Sequence, residues 1–316
     1  MNGRLTCRVT YRGPAISGPL DQGLIAMKQQ LINLLPPATL VAIVCFWMFG
    51  PAAWLDKEYT LVWVTSITTA FVLGLEFLFE RHEGWRMNWR EFATDLFYVL
   101  LGATVIAWVT NVAAEEPLMA IKRHLGIATP WAGRLPFLVQ VVSVMAIIEF
   151  GQYWMHRLMH NSTPFWLTHA PHHHITQLNA MKGSVGNPIE LFLISLSVVA
   201  FFDFSLTAKF CAISVNSAIA IYAHANVAAN PPFFYSFFFT TIRNHSLHHS
   251  VPYEDTRCNY GNSLIIWDRV FGTFREGEAS VVGQDDRKRL SIWEQTVFPF
   301  VPLIDAYKAR RKGQVS

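Results

Sequence analysis

Nine of the twelve histidines in this 316-residue chain fall into three short windows. His156 and His160, in YWMHRLMH, stand at i and i+4. On a helix that spacing stacks both imidazoles on one face, close enough to share a metal ion. THAPHHH supplies His169, His172, His173 and His174, and NHSLHHS supplies His245, His248 and His249. The pattern His-x-x-His-His therefore occurs twice, at 169–173 and at 245–249. A solvated polar surface needs no repeated spacing, so the repetition points to metal ligands. His174 breaks the spacing and reads as a neighbour. His224, which ends an apolar run in YAHANV, reads equally well as a packing residue or a ligand. His82 and His124 stand alone among charged residues and read as surface groups.

Eight imidazoles are too many for one ion. A structural zinc takes four ligands and usually recruits cysteine, whereas Cys7, Cys45, Cys211 and Cys258 are far apart and form no Cys-x-x-Cys pair. Two ions, each with more than four coordination positions, suit the donor set better. Imidazole serves iron, zinc, copper and nickel, so ligand type alone does not choose the metal. Nearby acids that could hold an imidazole N–H are Glu149, seven residues before His156, and Asp255 and Asp268; each could instead pair with Arg157, Arg257 or Arg269.

The elements that must position these rings are oily. The chain is 52% hydrophobic and only 15% charged, against roughly 25% charged in an ordinary soluble domain. A spanning helix needs about 20 apolar residues, and 38–55, 61–79, 92–113 and 135–154 come close. The segment 115–134, with Pro117 and Pro130, reads as interfacial. The run 191–223, interrupted by Asp203 and Lys209, reads as two short helices in a re-entrant hairpin. The expectation is an all-α integral membrane protein of about four transmembrane helices plus that hairpin, capped by a cytoplasmic-side, histidine-rich di-metal helical region. Arg4, Arg8, Arg12 and Lys28, then Arg81, Arg86 and Arg90, and the basic 308–312 tail place the histidines on the cytoplasmic side; Lys122, Arg123 and Arg134 count against this. The net charge of +3 is too small to suggest nucleic acid. Met1 to Gln30 has no apolar core of signal-peptide length, and Met27 is a plausible alternative start. The segments expected are 1–33 N-terminal, 34–134 membrane-anchoring, 135–275 catalytic and 276–316 C-terminal. A membrane metal transporter would carry its ligands near the midplane rather than beyond the spans, and a bis-histidine haem carrier would need paired histidines inside facing helices. Trp154, Trp166 and Phe233 to Phe239 flank the clusters and read first as interfacial anchors.

His-x-x-x-His, then two His-x-x-His-His clusters, resembles the signature of the fatty acid hydroxylase / sterol desaturase superfamily of integral-membrane di-iron enzymes. The residues that carry the resemblance are EFGQYWMHRLMH, THAPHHH and NHSLHHS, followed by NYGNSLIIWDRVFGTF at 259–274, so that it covers roughly residues 140–275. It implies two non-haem iron ions held by His156, His160, His169, His172, His173, His245, His248 and His249, with His224 as a ninth ligand and the first eight as the catalytic set. It also implies O2 as co-substrate, a membrane lipid as substrate and a separate electron-transfer protein, since no dinucleotide-binding fingerprint is present. The activity implied is hydroxylation of an acyl chain or head group, with a bacterial ornithine lipid as a specific candidate. Sterol or fatty-acyl desaturation and ether-lipid oxygenation are the alternatives. The compact chain without a lysine-rich retrieval tail suits a bacterial inner membrane better than the endoplasmic reticulum. One departure stands out: where many members carry His-Pro-x-Glu, this chain reads Asn187-Pro188-Ile189-Glu190.

Overall fold

The structure, a computed structural model, describes residues 19–284 and 286–313. The first 18 residues, with Arg4, Arg8 and Arg12, lie outside them. Five helices are long and apolar enough to cross a membrane: α1 (Pro19–Phe49), α2 (Glu58–Leu78), α3 (Trp89–His124), α4 (Phe137–Asn161) and, later in the chain, α7 (Leu206–His224). Between α4 and α7 lie α5 (Thr163–His173) and α6 (Pro188–Ser195), and after α7 comes α9 (Ile242–His248), preceded by the short α8 (Phe233–Phe238).

Helix α7 is the central post. Of its apolar window 61% is buried, against 17–33% in the other four. Small residues such as Ala208, Ala212, Ala218 and Ala223 let neighbouring backbones approach closely. Polar pairs fix its rotation: Trp47 Nε1 of α1 donates to Ser214 Oγ at 3.0 Å, and Thr39 meets the Tyr222 hydroxyl at 2.9 Å.

Several sequence expectations are corrected. α1 does not begin after Pro36 and Pro37 but runs through both, as packed membrane helices permit. The segment after residue 113 is not a separate interfacial piece: α3 continues to His124 through two π-helical turns, Gly102–Ile106 and Asn111–Glu115. The second wide turn ends just before Pro117, a residue whose missing N–H and bulk would break a regular α-turn. His124 therefore sits in the last turn of a helix, not in a loop. The 191–223 run is not a pair of short helices either. Its second limb is the uninterrupted 19-residue α7, and its first is α6 followed by a 3₁₀ turn at Val199–Phe201. Asp203 and Lys209 do not interrupt a span. Asp203 is ion-paired to Lys122 at the tip of α3 and accepts from Thr129 N at 2.8 Å, and Thr207 Oγ1 donates to Leu55 O beyond the end of α1.

The bundle thus has two unlike ends. At one, the loop after α1 meets the tip of α3 and the start of α7. At the other, the ends of α2, α4 and α7 and the start of α3 support a cap of short helices and turns. Buried charge joins cap to bundle: Lys182 Nζ lies 2.5 Å from Glu91 and 2.7 Å from Asp95 on α3, and Arg289 also pairs with Glu91. Glu76 of α2 accepts from the backbone N–H groups of Ala180 and Asn226 at 2.8 and 2.9 Å. Among the described residues no strand forms, only two isolated bridges, one of them Ser250 with Val282.

Candidate metal centre

The last two turns of α4 carry His156 and His160 into the cap, and α5 turns back across them with His169, His172 and His173. The short α9 brings His245 and His248, with His249 at its C-terminal cap, and α7 ends on His224. All nine are at most 6% exposed. They sort into two groups, His156, His160, His169, His173 and His248 in one and His172, His224, His245 and His249 in the other. Within each group the candidate donor atoms lie within 4.8 Å of one another. The two His-x-x-His-His motifs are thus split between the groups rather than each serving one.

Hydrogen bonds on the outer ring nitrogens show which nitrogen faces inward. His156 Nδ1 donates to Tyr260 O at 2.8 Å, His172 Nδ1 to Val185 O at 2.6 Å, His224 Nδ1 to Ala220 O at 2.9 Å and His248 Nδ1 to Cys258 O at 2.8 Å. His169 Nδ1 donates to Glu190 Oε1 at 2.6 Å. A neutral imidazole protonated on Nδ1 has only a lone pair on Nε2. Yet His156 Nε2 and His169 Nε2 are 3.0 Å apart, and His224 Nε2 and His245 Nε2 are 2.8 Å apart. With the Glu190 carboxylate ionised, the anchored pair His156 and His169 point two lone pairs at each other with no proton to share, an arrangement that a cation between them relieves. Further buried nitrogens have no partner at all: Nε2 of His160 and His248, and Nδ1 of His173, His245 and His249. Burial also pushes the His169 pKa down to about 3 and those of His173, His245, His248 and His249 well below the usual value. The rings are therefore neutral, as metal ligation requires. The residues present fit a pair of metal ions.

His174 falls outside both groups; its Nδ1 lies 3.2 Å from Lys288 O and its ring packs on Phe298. His82 is tied to Glu278 at 2.8 Å rather than free at the surface. None of the three acids singled out in the sequence touches an imidazole. Glu149 accepts from the backbone N–H of Ser263 and Leu264, Asp268 from those of Tyr260 and Gly261, and Asp255 pairs with Arg275. They hold the 259–274 tail in place, and Tyr260 in turn anchors His156. The acid that does hold a ring of the two groups is Glu190. Its only sequence signal is Asn187-Pro188-Ile189-Glu190, a capping box that starts α6. Asn187, at the departure from the superfamily pattern, is engaged elsewhere: its Oδ1 accepts from Ile189 N and its Nδ2 donates to Gln295 O and Thr296 O. Trp166 is a wall of the site, its ring 5.2 Å from that of His160 and 5.4 Å from that of His173. Trp154, by contrast, faces outward with Arg157 over its ring, and Phe233 and Phe234 are exposed.

Nine buried, neutral imidazoles in two groups, at one end of a bundle of membrane-length helices, define a class of helical protein whose histidine cluster is suited to holding metal. Sequence comparison refines that class. Residues 141–273 match the model of the fatty acid hydroxylase family. The chain is 28% identical to the ornithine lipid hydroxylase OlsE of Rhizobium tropici over 249 residues, 74% of this chain and 73% of that protein. It is 28% identical to human alkylglycerol monooxygenase over 148 residues, 43% of this chain and 30% of that one. A probable Delta(7)-sterol 5(6)-desaturase of Neurospora crassa is 25% identical over 153 residues, 47% of this chain and 42% of that one. No solved structure matches significantly.

Proposed function

We propose that this chain is an O2-dependent di-iron oxygenase that hydroxylates a membrane lipid on its acyl chain or head group, with a bacterial ornithine-type lipid as the specific candidate. The observation that carries this reading is the pairing of the five-histidine and four-histidine groups, with lone pairs converging inside a buried, neutral cage. His156, His160, His169, His173 and His248 would hold one iron and His172, His224, His245 and His249 the other, and the bound pair would supply the capacity to bind and reduce O2. The chain's own part is positional. Tyr260, Val185, Cys258 and Ala220 carbonyls and the Glu190 carboxylate fix the tautomer and tilt of five rings, and the wall of Trp166 and Tyr260 keeps the cage dry. The overall reaction inserts one oxygen atom into a C–H bond and releases the other as water. It consumes two electrons and two protons, with the electrons coming from a separate electron-transfer protein.

The histidine end is read as cytoplasmic, in a bacterial inner membrane. Arg81, Arg86 and Arg90 lie at that end; of the contrary charges at the far end, Lys122 is offset by Asp203, and Arg123 and Arg134 are not offset among the described residues. A metal transporter is disfavoured because the histidines crowd one end of the bundle rather than its midplane. The desaturase and ether-lipid oxygenase names among the relatives keep those reactions as alternatives of the same site. The deciding experiment is lipid mass spectrometry of cells with and without the protein. A gain of one oxygen supports hydroxylation, whereas loss of two hydrogens moves the assignment to desaturation. Purified protein should hold two irons per chain, and one zinc with no iron would sink the di-iron reading.

A further inference from the structure

At the far end of the bundle, walled by α3, α4, α7 and the α6–α7 connection, lies a cavity of about 810 Å³, a size typical of small-molecule sites. Val144, Ile148 and Gln152 of α4 line it. Spaced by four, they climb one face of that helix for about 12 Å. Gln152 stands one turn, about 6 Å, before His156, and its Nε2 donates to Ile194 O of α6 at 3.1 Å. Ser195, also in the wall, follows Glu190 on the same helix. The inner end thus lies about a turn of helix below the first histidine group.

The outer end is charged with both signs. Lys122 is occupied by Asp203, which also accepts from Thr129. The Lys209 side chain lines the same opening, within the field of Glu115 and Asp203, and Arg123, Glu58 and Glu115 line it too. A purely anionic head group here would meet two carboxylates, and a purely cationic one Lys209 and Arg123; a head group carrying both charges satisfies both. Another large cavity, about 790 Å³ between α1 and α2, has no charged residue in its lining and nothing to select a head group.

We propose that the charged cavity binds one acyl chain of a zwitterionic amphiphile drawn from the leaflet at the far end of the bundle. The head group sits among Lys209, Arg123, Glu58 and Glu115, and the chain points up α4 toward His156. This rests on the lipid-hydroxylase reading, and it adds that the oxidised carbon lies on the chain, remote from the head group.

The test uses the full-length, iron-loaded protein in nanodiscs with phosphatidylethanolamine bearing a photoreactive diazirine at the chain end, and matched phosphatidylglycerol as the anionic control. Cross-linked peptides are expected within 144–152 and 206–213. Lys209→Gln and Glu115→Gln should each lower that labelling about tenfold. Ile213→Trp, or Ile148→Trp if the first fails to fold, should remove it and abolish turnover while helicity and iron content stay unchanged. Labels confined to the α1–α2 groove, equal labelling by the anionic lipid, or full turnover in a folded Trp variant would each overturn the proposal. Labelling at 144–152 by a wild-type protein that oxidises no lipid would support the binding site and refute the hydroxylase reading, so the two fail separately.

Discussion

Glu190 uses each of its carboxylate oxygens for a different task, which makes its replacement diagnostic. Oε1 accepts the Nδ1–H of His169 at 2.6 Å, and Oε2 accepts the backbone N–H of Asn187 at 3.2 Å to close the capping box. Glu190→Ala removes both. Loss of the helix cap costs about 1 kcal/mol of stability. Loss of an outer hydrogen bond to a ligating imidazole typically lowers metal affinity 10–100-fold, equivalent to about 1.4–2.8 kcal/mol. Glu190→Gln has one carbonyl oxygen and can serve only one partner, so its metal affinity should fall between wild type and Glu190→Ala. The assay is iron(II) titration against a competing chelator on purified apoprotein, with thermal unfolding followed in parallel. Unchanged iron affinity in a folded Glu190→Ala protein would refute the claim that this carboxylate orients His169.

His248→Ala should abolish product formation while leaving the protein folded in the membrane, and retained activity would remove its ligand assignment. Glu149→Leu strands the buried N–H groups of Ser263 and Leu264; at about 1–3 kcal/mol each, unfolding should be easier by about 2–6 kcal/mol, and a variant as stable as wild type would show that the tail does not depend on α4. Glu278 is held down to about 2, first by its hydrogen bond to Arg81. Because the folded value lies below the ordinary one, its stabilising contribution is present above about pH 4.5 and is lost as pH falls through about 2. Acid should therefore destabilise wild type more steeply than Glu278→Gln over that window, and parallel pH curves would contradict the assignment.

The histidine clustering was legible because spacing survives folding: i, i+4 on α4 and the doubled His-x-x-His-His motifs bring together the same eight rings that the sequence singles out. His224 was ambiguous for a physical reason. A lone ring at a helix end gains meaning only when that end reaches the other clusters, and α7 proved to be the central helix. The acids misled because a carboxylate can neutralise backbone N–H groups as readily as an imidazole, and nothing local tells Glu149 from Glu190. Span boundaries drawn at prolines and charges failed where tertiary packing compensates, at Pro36, Pro37 and Pro117 and at Asp203 with Lys122. The π-turns of α3 have no periodicity signature that short apolar windows can reveal.

The segment after residue 278 has a consequence for biogenesis. Its backbone and side chains close the cap: Gly283 N donates to His249 O, Lys288 O meets His174, Arg289 pairs with Glu91, and Gln295 O receives Asn187. During synthesis the last histidine leaves the ribosome some forty residues before these latches do. A nascent chain therefore carries its whole ligand set for a time with the lid undone, when the rings are still wet and accessible. On the proposed di-iron reading, metal inserted in that interval would meet open ligands, and the segment would close over it afterwards.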